Sequence, residues 1–193
     1  MTARETDADK GTHDCLTTHK HMERTIRKAA VWDLPVIRRL IESGRKLMRE
    51  NGNPLQWGDH HPSNRQFQHD IAQGCSYLLL QDGAPIATFA FIPGPDDTYA
   101  KIYQGSWLEA GRPYHVIHRV AREHGVHGVM RDIFDYCFSV ADNIRIDTHR
   151  DNTLMQRALV HAGFSYRGII FLASGDERLA YQKITDRQPA AAL

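Results

Sequence analysis

Between Val116 and Phe134 the chain reads V-I-H-R-V-A-R-E-H-G-V-H-G-V-M-R-D-I-F. A strand-forming run breaks at two glycines three positions apart, and a helical pattern follows at once. This junction brings a strand end, a tight turn and a helix start into one place. Glycine lets the backbone turn sharply and lets a ligand come close to it. The first helical N–H groups lack intrahelical partners and sit at the positive end of the helix dipole. Together they make a cradle for a phosphate or diphosphate that needs no lysine. Read alone, the same pattern also fits a plain loop.

That economy of side chains suits the composition. Lys+Arg number 24 and Asp+Glu 23, a formal net charge of +1. A balance this even gives no general attraction to nucleic acid or an anionic membrane, so an anionic ligand must be held locally. The 193 residues fit one domain with a sizeable core. Cys15, Cys75 and Cys137 are far apart with no CxxC, which argues against a disulfide framework or a structural zinc site. Residues 1–24 read as a polar tail, with no apolar run of signal-peptide type, so the expected location is cytoplasmic. His13, His19 and His21 in that tail are read as part of it and not as a metal site. No stretch approaches the ~20 apolar residues of a membrane span.

Order is expected from residue 25 to 184, with 185–193 a short tail. Ile26–Val31 predicts a strand. Asp33 stands as N-cap ahead of Leu34-Pro35, and Val36, Ile37, Leu40, Ile41, Leu47 and Met48 follow at helical spacing. Asn51–Pro62 is dense in turn formers, and Ser63 or Asn64 caps a second helix ending near Gln73. Cys75–Gln81 and Ile86–Ile92 flank Asp82-Gly83 as a hairpin. After an irregular aromatic stretch, Thr98–Pro113, come a strand (Tyr114–Ala121), a helix (Val129–Val140), a strand (Asn143–Thr148), a helix opened by Asn152 and closed by Gly163, and strands at Tyr166–Leu172 and Glu177–Ile184. The order is β-α-α-β-β-β-α-β-α-β-β.

That order, the glycine turn, the opening I-R-K-A-A-V-W-D-L-P-V-I and the closing D-N-T-L-M-Q-R-A-L-V-H-A-G-F together resemble the GCN5-related N-acetyltransferase (GNAT) family. The resemblance implies an α/β (α+β) fold: a mainly antiparallel sheet with one splayed parallel pair of strands, flanked by about four helices. It implies acetyl-CoA as co-substrate, without a metal. The family signature, (Gln/Arg)-x-x-Gly-x-(Gly/Ala), admits two registers, one from Arg122 and one from Gly125. The second is preferred because it buries Ile133 and Phe134, whereas the first would bury Arg131. On that register Gly125, Val126, His127, Gly128, Val129, Met130 and Arg131 hold the diphosphate by their amides, with the Arg131 or His127 side chain assisting. Backbone groups of Val120 and Ala121 pair with the pantetheine arm, and the Asn152 amide meets it or simply caps its helix.

Acetyl transfer needs a base for the amine, a donor for the oxyanion and an acid for the departing thiolate. Many relatives place a Tyr four residues before the terminal Gly as the acid; Leu159 stands there. His118 and His149 are the candidate bases, His149 with Asp147 and Asp151 to orient it; a hydrogen-bonded strand histidine and a cap are the respective alternatives. Trp57, with His60 and His61, and Tyr99, Tyr103, Trp107 and Tyr114 are placed around the acceptor, where they would bind it or pack a lid. Tyr166 and Phe171 are read as core. The expected activity is direct transfer to a small-molecule amine, or to a peptide terminus, by a monomer or homodimer. The rival reading, motivated by Leu159, is a silent acyl-CoA-binding regulatory module.

Overall fold

The computed structural model describes residues 22–59 and 61–186. The N-terminal histidines, Cys15 and His60 lie outside the described residues. Among the described residues seven strands form one sheet: β1 (Arg24–Lys28), β2 (Ser76–Gln81), β3 (Ala84–Pro93), β4 (His115–Arg122), β5 (Asn143–Thr148), β6 (Ser165–Phe171) and β7 (Glu177–Ile184). The same residues contain four α-helices: α1 (Leu34–Glu50), α2 (Asn64–Ala72), α3 (Val129–Val140) and α4 (Thr153–His161). The strand order is β1-β2-β3-β4-β5-β7-β6. Every neighbouring pair is antiparallel except β4–β5. Among the described residues no helix is long and apolar enough to cross a membrane.

The parallel pair is short. Only His115↔Ile144 and Val116↔Arg145 are in register, and beyond Val116 the two strands part. A bulge in β4 accompanies the parting: Arg119 takes φ +54°, and the pairing with β3 slips between Thr88 and Ala90. An extra residue bends a strand and increases its twist. It also exchanges faces. Ile117 and Ala121, four apart, would share a face in a regular strand, yet Ile117 packs toward α3 and α4 while Ala121 packs beneath α1.

Each face of the sheet is covered according to helical periodicity. Ile37, Leu40, Ile41 and Gly44 of α1 are buried at i, i+3, i+4 and i+7. Gly44 permits close approach, since a Cβ there would lie 2.9 Å from the Ala121 Cβ. On the other face Ile133, Phe134 and Cys137 of α3 meet Leu159 of α4 over Phe89, Ile144 and Ile146. A third cluster docks the excursion between β3 and β4 onto the sheet, with Tyr99 against Val116, Ile170 and Ala180. Arg145 is 2% exposed and lies between the Trp107 and Tyr114 rings, 4.2 and 3.7 Å from their centroids. A desolvated cation over an aromatic face gains roughly 2 kcal/mol.

Several local readings are revised. Strand β1 starts at Arg24 and ends at Lys28, and Val31 lies in a short 3-10 turn. Asp33 makes no helix cap; its carboxylate accepts from the Ala30 N–H at 2.8 Å and from Arg27 at 2.7 and 2.9 Å. Ser63 does cap α2, accepting from the Gln66 N–H. Tyr166 and Phe171 are half exposed on an outer strand and do not belong to the core.

Candidate active site

Where β4 and β5 part, a cavity of about 260 Å³ lies between Val120 and Ala121 on one side and Asn152, Met155 and Ala158 on the other. Leu47 and Met48 of α1 close its front. The unpaired edge of β4 offers backbone groups to this space. At Arg122, Val129 and Met130 the cavity runs into a wider pocket of about 630 Å³, lined by Val126 to Arg131.

The glycine turn has the conformation its residues suggest. Gly125 and Gly128 take φ +77° and +78°, which few other residues adopt. Gly128 caps α3, whose first residue is Val129. Ile133 and Phe134 are buried and the Arg131 side chain is 77% exposed, the burial that the second register predicts. One donor drops out. The Arg131 N–H bonds the Gly128 carbonyl at 3.1 Å, so the free amides lie ahead of it. The sequence reading also missed Arg24, assigned to the tail, which reaches the His127 carbonyl at 2.9 Å and Asp132 at 2.6 Å.

Asn152 is the cap of α4, its Oδ1 accepting from the Met155 N–H at 3.1 Å. Its amide nitrogen donates to Gln56 Oε1 at 2.9 Å. The same oxygen accepts from Asn53 at 2.8 Å, so Gln56 ties the α1–α2 loop to the start of α4. Nothing in the local pattern around Gln56 signals this, because its partner is 96 residues away.

His118, one residue before the bulge, lies in a polar cluster. Its Nε2 is 3.1 Å from Asp96 Oδ2, and its Nδ1 is 3.9 Å from Asp147 Oδ1. Asp96 is itself fixed, with Oδ1 accepting from the Thr98 N–H at 2.9 Å and its own N–H donating to the Tyr114 hydroxyl at 3.0 Å. Burial pushes the Asp96 carboxyl up, but the His118 hydrogen bond and charge and the Thr98 N–H outweigh it, leaving the carboxyl below its ordinary value. An ionised Asp96 can only accept, which places a proton on His118 Nε2, so that in the neutral ring Nδ1 is the nitrogen with the lone pair. The Tyr99 hydroxyl donates to Asp147 Oδ1 at 2.5 Å. Burial, then Asp147, keeps that phenol protonated far above its usual value. The Asp-Asp-Thr run at 96–98 was a readable signal for Asp96, being a side-chain-capped turn.

The other candidates separate. Asp147 faces His118, whereas His149 is turned to Asp151, accepting its N–H at 3.2 Å and so serving as a local cap. Burial, then Arg178, holds His149 below its ordinary value, hence neutral at pH 7. Tyr99 and Tyr114 belong to the His118 cluster. Tyr103 lies apart, bridging to Ile169 and stacked edge-on against Phe171. Trp57 is 9% exposed and packs in the core with α1. Leu159 is fully buried among apolar neighbours, and no proton donor stands at that position.

No protein-family model and no curated protein matches the chain. Solved structures do. A GNAT-family acetyltransferase from Streptococcus agalactiae is 30% identical, with 85% of this chain and 96% of that chain covered and a TM-score of 0.77. A GNAT-family acetyltransferase from Listeria monocytogenes is 21% identical, with coverage of 84% and 95% and a TM-score of 0.62. A Salmonella typhimurium protein solved with its cofactor acetyl-CoA shares the fold at 14% identity, with coverage of 88% and 99% and a TM-score of 0.55. The chain belongs to the GCN5-related N-acetyltransferase family, whose general chemistry is acetyl transfer.

Proposed function

We propose that the protein transfers an acetyl group from acetyl-CoA to the amine of a small molecule, directly and within a ternary complex. The observation that carries this reading is the cleft that leaves the Gly125–Gly128 turn and follows the unpaired edge of β4 back to Val120, two residues from His118. A slender arm bearing amides fits an apolar channel with one bare strand edge, and a diphosphate fits a turn whose amides and nearby guanidinium groups are positive.

Acetyl-CoA supplies an activated carbonyl carbon and a thiolate leaving group. Val120 and Ala121 orient the arm by backbone hydrogen bonds. Leu47, Met48 and Val129 exclude water, and the amides of Val126 to Met130 hold the diphosphate. Asp147, kept in place by Tyr99, receives the acceptor as an ammonium. His118 takes its proton at Nδ1, and the resulting imidazolium is balanced by Asp96. The neutral nitrogen then forms its bond to the carbonyl carbon as the carbon–sulfur bond breaks, and its surplus proton passes to the departing thiolate, giving the amide and the free thiol. Positioned base catalysis of this kind contributes ~10²- to 10⁴-fold.

Two measurements test the reading. Calorimetry with coenzyme A should give a dissociation constant in the micromolar range, near −8 kcal/mol for ~1 µM. Thiol release from acetyl-CoA across an amine library should show turnover that is lost in His118→Ala. Binding without turnover on any amine would leave the chain a cofactor-binding module and overturn the enzymatic reading.

A further inference from the structure

Resting on the cofactor reading above, we infer that Arg24 of the first strand is the positioning residue of the phosphate-binding turn: it aims the Gly128 N–H into the pocket and neutralises the acid at the start of α3. All three guanidinium nitrogens are engaged. Nε and Nη2 donate to Gln81 Oε1 at 3.1 and 3.0 Å, which fixes the plane of the group against β2. Nη2 also donates to the His127 carbonyl at 2.9 Å, and Nη1 to Asp132 Oδ2 at 2.6 Å.

The first consequence follows from peptide geometry. The 127–128 bond is not among the cis peptides, and in a trans unit the carbonyl and the N–H point in opposite directions. Holding the His127 oxygen toward β1 therefore turns the Gly128 N–H away from β1, to the side where the pocket lies. The clearance is small: a Cβ on Gly128 would lie 3.3 Å from Arg24 Nη1.

The second consequence is electrostatic. Asp132 lies in the first turn of α3, where its charge would oppose a bound diphosphate. Arg24 pairs with it at a site where both side chains are about one-fifth exposed. With Arg24 removed, Asp132 would draw in Arg131, whose Nε already lies 3.9 Å from Asp132 Oδ1, and so take a mobile cation from the phosphates. Four of the five Arg24 N–H donors are engaged within the protein, so its effect on binding is exerted chiefly through the turn.

The test is calorimetry with coenzyme A on the wild type, Arg24→Ala and Arg24→Lys, with the Gly128 amide followed by ¹⁵N–¹H NMR. Arg24→Ala should weaken coenzyme A about tenfold or more, the scale of one lost charge-assisted hydrogen bond. The coenzyme-induced shift of the Gly128 amide should shrink with it. Arg24→Lys, which keeps the charge but not the fork, should fall between and serves in place of alanine should that variant not fold. Unchanged affinity, or a Gly128 shift of wild-type size in a weakened variant, overturns the inference. A wild-type chain that does not bind coenzyme A removes the cofactor reading itself, and this inference with it.

Discussion

Asp96 Oδ2 and His118 Nε2 meet at 3.1 Å across 22 residues of sequence, joining the loop after β3 to the bulged strand β4. The contact decides which imidazole nitrogen is available for a proton. His118→Ala should lower kcat/KM for the acceptor by ~10²-fold or more with coenzyme A affinity unchanged. Asp96→Asn, which lets the ring choose the other tautomer, should cost about tenfold, chiefly in kcat. Equal activity of Asp96→Asn and wild type on a reactive amine would remove the orienting role.

His149 invites a contrasting test. Because its Nδ1 accepts the Asp151 N–H, it is spent on the turn before α4. His149→Ala should cost about 1 kcal/mol of stability, as lost caps do, and leave the acceptor's kcat nearly intact. Steady-state kinetics beside thermal melts separates this from a base role, for which the kcat loss would match that of His118→Ala.

Gly168 of β6 lies where the excursion between β3 and β4 docks onto the sheet. It takes φ +141°, and a Cβ there would lie 2.4 Å from the Tyr103 carbonyl, which accepts from the Ile169 N–H. Gly168→Ala should destabilise the protein by about 2 kcal/mol or more. It should also lower acceptor turnover, since the displaced segment carries Asp96 and Tyr99. Coenzyme A binding, assigned to the glycine turn after β4, should persist.

Asp33 sets a pH limit on stability. Its hydrogen bonds from Arg27, foremost, outweigh burial and hold its carboxyl below the ordinary 3.8. A carboxyl lowered by folding stabilises the protein above its unfolded value and loses that contribution as pH falls through the folded one. Urea midpoints should therefore drop below about pH 4, and Asp33→Asn should flatten that drop. It should also cost about 1–3 kcal/mol at pH 7 through the lost Arg27 and Ala30 contacts. An acid limb of the same steepness in Asp33→Asn would refute the assignment.

The elements with clean periodicity were legible in the sequence. The bounds of α3, β5 and β7 follow from apolar spacing and flanking turn residues alone, and the glycine turn follows from two residues that tolerate positive φ. What could not be read depends on partners far along the chain. The aromatic excursion takes its form from Tyr103 on Ile169 and from Gln182, whose side chain accepts the Leu108 N–H at 2.7 Å. Local patterns carry no trace of such pairs. Arg24 was lost for the same reason: a charged residue at a strand end looks like tail until its partner, 108 positions away, is seen. Trp57 shows that a polar loop can still place one indole in the core.

A sheet that opens after Val116 withholds hydrogen bonds that a continuous parallel pair would have made, and those vacant positions along β4 make heat resistance a gauge of occupancy. A ligand that completes the ladder joins the folded state alone. Saturation at a hundredfold over the dissociation constant should then add about 2.7 kcal/mol of stability. Melting curves recorded against coenzyme A should climb with the logarithm of its concentration, so fluctuations in the donor pool would tune how long the folded chain survives.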